Sequence, residues 1–132
     1  MLLHRSRVLL EVVEGLVERG EYDLALSLAE QAAQLAVKAV YARLLARIPR
    51  GHSLRRLLGY LASLLEEAGR VNEAREVRRL LAEQREGLVL LEDAYTQGRY
   101  SLPGYTRGEA EKGLEVARRL VALVERLFGG QT

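Results

Sequence analysis

The sequence predicts an all-α protein, an up-down four-helix bundle with one additional short helix. No segment alternates apolar and polar residues with a period of two, which argues against strands. Apolar residues recur instead every three or four positions, and the longest irregular stretch runs from Gln97 to Tyr105. Because 132 residues suit one compact unit, we expect residues 1–132 to form a single domain.

The first two helices are the most apolar. The first is expected over Leu2–Arg19, where Gly20 ends it, and the second over Tyr22–Ala46, with Pro49 and Gly51 beyond its end. The second is apolar nearly all round, so it should lie centrally or face two partners. Small residues spaced along it allow close helix packing: Ala25, Ala29, Ala32, Ala36 and Ala39.

Three further helices follow. Ser53 is expected to cap a short third helix that Gly69 ends. Asn72 is expected to cap a fourth, whose apolar positions keep a near-heptad rhythm as far as Tyr95. The fifth begins at a capping box, Thr106-Arg107-Gly108-Glu109.

The composition excludes several classes of function. The chain has no Cys and only two histidines, so we expect no disulfide, no metal site and no cofactor. Glu11 and Glu14 interrupt the N-terminal apolar run, and charges break every other run, so we expect neither a signal peptide nor a membrane contact. A cytoplasmic protein is the expectation. All but two of the 20 basic residues are arginine, which is compatible with a thermophile or with a GC-rich genome.

One polar cluster surrounds His52, in the break between the second and third helices. Its neighbours in sequence are basic, and their positive charge should keep the imidazole neutral at pH 7. A neutral histidine among arginines suits phosphate binding or general-base chemistry; alternatively it caps the third helix or packs against the loop, and the arginines form a solvated face. The arginines are Arg47, Arg50, Arg55 and Arg56.

A second cluster follows the fourth helix. Arginine offers a planar fork for phosphate and tyrosine a face on which a base stacks, so the cluster suits a nucleotide pocket. It equally suits a structural corner in which Arg99 pairs with Asp93 and the tyrosines pack on the bundle. Its members are Asp93, Tyr95, Arg99, Tyr100 and Tyr105. A polar stripe on the second helix, which lines a cleft or forms a solvated edge, comprises Ser27, Gln31, Gln34 and Lys38.

The order of these blocks resembles the signature of the HEPN family, small helical-bundle proteins linked to nucleotide binding and, in some branches, to RNA cleavage. A Gln- and Ala-rich helix ending in Lys-Ala, a His-containing loop and a late Arg-Tyr pair carry the resemblance. The matching residues are Gln31, Ala32, Lys38, Ala39, His52, Leu54, Arg99 and Tyr100. The family's Arg-Tyr pair is usually followed by proline, whereas here Ser101 and Leu102 precede Pro103.

The resemblance is closest to the non-ribonuclease branch, often encoded beside a minimal nucleotidyltransferase. It implies a protein that binds a nucleotide or such a nucleotidyltransferase, as in a toxin–antitoxin-type pair, without doing chemistry itself. The residues hypothesised to bind the nucleotide are Lys38, His52, Asp93, Arg99 and Tyr100; Asp93 comes from the second cluster, and the resemblance implies the other four, which are expected to converge near one end of the bundle. The apolar surface of the second helix favours a homodimer through the first two helices or the bundle ends.

Two alternatives remain open. One is a metal-independent ribonuclease toxin that uses His52 and nearby arginines. Arg47 and His52 reproduce the spacing of the family's ribonuclease motif, but Pro49 and Gly51 break the helix between them, so we interpret that match as coincidental. The other alternative is a dimeric assembly module with no ligand. Whether RNA is touched stays open, because a net charge of +2 is too small to indicate nucleic-acid binding.

Overall fold

The computed structural model describes residues 2–46, 49–51, 53–97 and 104–128, with the side chains of residues 45, 96 and 97 left undescribed. Within those ranges the chain forms helices and no strand, which confirms the predicted all-α bundle. The helices number six in this part of the chain: α1 (Leu2–Glu18), α2 (Tyr22–Leu45), α3 (Leu54–Glu67), α4 (Val71–Glu83), α5 (Arg85–Gln97) and α6 (Arg107–Phe128).

Helix α2 forms the centre of the bundle and packs against α1, α3, α5 and α6. All five alanines of its small-residue stripe are buried, which lets neighbouring helices approach closely. The Ser6 hydroxyl of α1 donates a 2.8 Å hydrogen bond to the Ala32 carbonyl, so these two helices are also joined by a buried polar contact. The central placement expected from the apolar circumference of α2 is therefore confirmed.

The end of α2 precedes the proline. Ala46 adopts a left-handed conformation with φ 55°, and its N–H donates to the Ala42 carbonyl, so the helix ends at Leu45. Such a conformation costs a non-glycine residue about 1–2 kcal/mol. The predicted cap of α3 is confirmed, because the Ser53 hydroxyl accepts from the Arg56 amide at 3.3 Å.

The fourth helix was predicted as one element and is in fact two. Gln84 has φ −111° and ψ 23°, which ends α4, and α5 begins at the next residue. Neither glycine nor proline marks the break, and the backbone bonds from Gln84 to Leu80 and from Leu88 to Gln84 are retained. Beyond the break, α5 lies so close to α6 that a Cβ on Gly87 would stand 3.0 Å from Val116. The break between α4 and α5 at Gln84 therefore occurs next to a close contact with α6, and no local sequence signal predicts that contact.

The predicted cap of the fourth helix is wrong. The residue at the cap position is Arg70, without a side-chain capping bond, and Asn72 lies inside the first turn of α4 and is exposed. The Arg70 guanidinium instead pairs with Glu73 at 2.5 Å, which places an acidic side chain near the positive end of the helix dipole.

The start of α6 agrees with the predicted capping box. The Thr106 amide donates to the Glu109 carboxylate at 2.9 Å, and the Glu109 amide donates to the Thr106 hydroxyl at 3.1 Å. Just before it, the Tyr105 amide donates to Asp23 at 2.7 Å. A Cβ on Gly104 would stand 2.8 Å from that carboxylate, so glycine is needed for this approach to α2. Across the described residues, no helix combines the length and apolarity of a membrane span.

Candidate functional site

The structure describes two of the five predicted site residues. Lys38 lies half-buried on α2, and Asp93 lies half-buried on α5. The other three, His52, Arg99 and Tyr100, lie outside the described residues. Convergence of Lys38 with His52, Arg99 and Tyr100 therefore stays a prediction, and the match of Arg47 and His52 to the ribonuclease spacing also lies outside the described residues.

The segments that carry the two sequence blocks nevertheless meet. Arg55, near the start of α3, donates from its backbone amide, Nε and Nη2 to the Glu92 carboxylate of α5, each bond measuring 3.0 Å. Glu92 thus satisfies an amide of the first turn of α3 as well as a guanidinium. This hydrogen bonding raises the pKa of Arg55. The start of α3 is held against the later part of α5 by one charged contact.

A buried acid lies beside this contact. Glu30 of α2 is 2% exposed and accepts a 2.9 Å hydrogen bond from Gln34. Burial raises the pKa of Glu30 to about 7, the Gln34 bond and the Lys38 charge act to lower it, and Glu92 acts to raise it further. Sequence reasoning missed Glu30, although one acid within an alanine-rich run, four residues before Gln34, was a visible signal.

The polar stripe on α2 is therefore divided. Gln31 is exposed, Ser27 and Lys38 are half-buried, and Gln34 is buried against Glu30. Neither interpretation of the stripe, a cleft lining or a solvated edge, fits all four residues. Lys38 is close enough to Glu30 for its charge to affect that carboxyl, so the predicted site residue belongs to the same polar group as the missed one.

Asp93 has a structural contact of its own. Its carboxylate accepts a 2.6 Å hydrogen bond from the Tyr105 hydroxyl, and Tyr105 also packs against the core. The packing of Tyr105 on the bundle agrees with the structural-corner interpretation, whereas the expected pairing of Asp93 with Arg99 lies outside the described residues.

A small cavity lies at the start of α3. It measures about 210 Å³ and is lined by Arg50, Gly51, Ser53, Arg56 and Leu57. Within the described ranges neither of its arginines forms an ion pair with a carboxylate, in contrast to Arg55. This cavity is basic, and guanidinium groups suit the oxygens of phosphate. No group of three metal-ligating side chains occurs among the residues that the structure describes.

The bundle, with its charged α3–α5 contact and basic cavity, defines a small helical protein with polar residues gathered around the start of α3. Residues 1–127 match the HEPN domain family, and the chain belongs to that family. The resemblance seen in the sequence is thereby confirmed at the level of the family.

A solved structure is similar to nearly the whole bundle. The crystal structure of the protein TT1696 from Thermus thermophilus matches 95% of this chain and 94% of that chain, with 28% identity and a TM-score of 0.67. This similarity agrees with the HEPN fold. Among curated proteins, none matches this chain.

Proposed function

We propose that this HEPN-family protein is a non-catalytic binding subunit that holds a nucleotide at the corner where α2, α3 and α5 meet. The residues proposed to bind the nucleotide are Lys38, His52, Asp93, Arg99 and Tyr100. In this role Arg99 binds the phosphate and the base stacks on Tyr100.

One observation carries the proposal. The contact between Arg55 and Glu92 joins the start of α3, which follows His52 in sequence, to the later part of α5, which precedes Arg99. Lys38 belongs to the adjoining group on α2, as its influence on the Glu30 carboxyl indicates. Both blocks of the sequence signature are thus attached to helices that touch each other, as a shared binding site requires.

We further propose that the chain assembles as a homodimer through α1 and the outer side of α2. Val8, Val12 and Leu24 are 44%, 45% and 50% exposed. Val8 and Val12 lie one turn apart on α1, so they form a single apolar strip. The hydrogen bond from Ser6 to Ala32 fixes α1 alongside α2, and exposed apolar residues on neighbouring helices favour a protein interface.

The partner in the proposed pair is a minimal nucleotidyltransferase, as the resemblance to the branch encoded beside such enzymes implies. We also propose that residues 1–132 form a single domain.

Isothermal titration calorimetry of the purified protein with adenosine and uridine nucleotides tests the nucleotide-binding role. Saturable binding of a nucleotide supports the proposal. Failure to bind any of them at millimolar concentration contradicts it and favours the assembly module.

A further inference from the structure

The outer side of α3 carries an exposed aromatic ring beside the basic cavity. Tyr60 is 49% exposed, and Arg56 lies one helical turn before it on the same side of the helix. Arg56 lines the cavity together with Arg50. The Cα atoms of Arg56 and Tyr60 are thus about 6 Å apart along the helix axis.

Tyr60 has a rigid support on its inner side. Its ring stacks on that of Tyr41, with centroids 6.3 Å apart and planes inclined by 22°. Tyr41 is 1% exposed, and its hydroxyl donates a 2.6 Å hydrogen bond to the Leu57 carbonyl, which fixes the supporting ring to α3. Burial raises the pKa of Tyr41 to about 12, so this donor keeps its proton throughout the neutral range. The half-exposed ring is therefore held in a defined orientation.

The cavity suits a phosphate better than a base. Its volume of about 210 Å³ lies below the usual range for pockets that enclose a whole small ligand. Arg50 and Arg56 form no ion pair with a carboxylate among the described residues, whereas the nearby Arg55 is occupied by Glu92. The Ser53 hydroxyl accepts from the Arg56 amide and keeps its own proton to donate, so the cavity offers a ligand this hydroxyl as well as the two guanidinium groups.

We propose that Tyr60 is a base-stacking surface of the nucleotide site in addition to Tyr100, and that Arg50 and Arg56, together with Arg99, bind the phosphate of the same nucleoside 5′-phosphate. The base lies on the ring of Tyr60, and the ribose bridges one helical turn to the cavity. This inference rests on the proposed nucleotide-binding role and adds three residues that the family resemblance does not include. Stacking on an aromatic ring tolerates different bases, so several nucleotides bind.

Calorimetry with two probes, adenosine monophosphate and inorganic phosphate, separates stacking from phosphate binding. Tyr60→Ala is expected to weaken binding of the nucleotide about tenfold and to leave phosphate binding unchanged. Tyr60→Phe retains the nucleotide affinity, whereas Tyr60→Leu, which fills the space over Tyr41 without a flat ring, does not. Arg56→Ala is expected to weaken binding of both probes. Arg75→Ala, which removes an exposed arginine of α4, is expected to weaken binding of neither.

The outcomes distinguish this inference from the proposed function. If the wild-type protein binds no adenosine monophosphate, the nucleotide-binding role itself fails. If the wild-type protein binds adenosine monophosphate and Tyr60→Ala and Tyr60→Leu bind it equally well, the proposed function stands. The proposal that the base stacks on Tyr60 is then overturned. Equal weakening of phosphate and nucleotide by Tyr60→Leu, in a variant with wild-type helical content, also overturns the stacking role.

Discussion

Glu92 accepts three hydrogen bonds from Arg55, one from the backbone amide and two from the guanidinium. The Glu92 side chain is 18% exposed and that of Arg55 is 38% exposed, so solvent screens the pair only in part. The contact joins α3 to α5 and also satisfies one amide of the first turn of α3. It thereby connects the cavity at the start of α3 to the helix that precedes Arg99.

The first prediction tests this contact. Glu92→Gln keeps the shape of the side chain but removes the charge and one carboxylate acceptor. We expect it to lower the free energy of unfolding by about 1–2 kcal/mol, because a hydrogen bond to a charged group contributes more than a neutral one. Urea denaturation at pH 7 measures the change.

Glu86→Gln is the matched control. Glu86 pairs with Lys112 at 2.7 Å, yet its side chain is 84% exposed, so solvent screens the pair strongly. We expect almost no change in stability from this substitution. Equal effects of the two variants would mean that the Arg55–Glu92 contact contributes no more than an ordinary surface pair.

The second prediction concerns Glu30 and pH. Because burial raises its pKa from 4.5 to about 7, the folded state prefers the protonated form. The stability that Glu30 contributes is present in full below pH 4.5 and is lost as the pH rises through 7. Glu30→Gln mimics the protonated acid, so it should be more stabilising at pH 8 than at pH 5, by about 1–3 kcal/mol.

Denaturant melts at both pH values, on the wild-type protein and on Glu30→Gln, measure this difference. Glu11→Gln serves as the control, because Glu11 is exposed on α1 and should give the same effect at both pH values. A Glu30→Gln effect that is equal at pH 5 and pH 8 would show that the wild-type carboxyl is not held protonated.

The sequence predicted those features that local chemistry determines. The Ser53 cap and the Thr106–Glu109 capping box each depend on residues within one turn, and both have the expected hydrogen bonds. The apolar circumference of α2 predicted its central placement, and its alanine stripe predicted close packing with neighbouring helices. By contrast, the bend at Gln84 has no local signal and accompanies the packing of Gly87 against Val116.

The candidate site was predictable only in part. Glu92 and Arg55 are far apart in the sequence, so no spacing rule connects them before the helices are packed. Glu92 and Asp93 are neighbours in the sequence but contact different partners, Arg55 and Tyr105, because adjacent residues on a helix point in different directions. The Arg-Tyr and His blocks came from the family resemblance, which identifies residues without giving their geometry.

The third prediction concerns assembly. Val12 is 45% exposed on α1 and lies in the proposed interface. A glutamate at this position would be buried against the second copy with no partner for its charge. We expect the wild-type protein to be a dimer at micromolar concentration and Val12→Glu to be a monomer. Light scattering coupled to size-exclusion chromatography measures both.

Val71→Glu is the control for that substitution. Val71 is 50% exposed but lies at the start of α4, which packs on α3, α5 and α6 rather than on the helices of the proposed interface, so this variant should remain dimeric. A monomeric wild-type protein would contradict the proposed homodimer. Dissociation by both variants would indicate a general effect of added charge and would leave the α1 surface without support.

The last prediction concerns the Arg-Tyr pair. If Arg99 binds a phosphate, Arg99→Ala should weaken nucleotide binding by about 1–3 kcal/mol, the range of charge-assisted hydrogen bonds, and leave helical content nearly intact. Calorimetry and circular dichroism on one sample measure the two effects. Tyr105→Phe is the structural comparison, because it removes the 2.6 Å bond to Asp93 and should lower stability more than affinity. If Arg99→Ala unfolds the protein and the wild-type chain binds no nucleotide, the Arg-Tyr segment is a structural brace, and membership of the HEPN family then informs the fold and not the function.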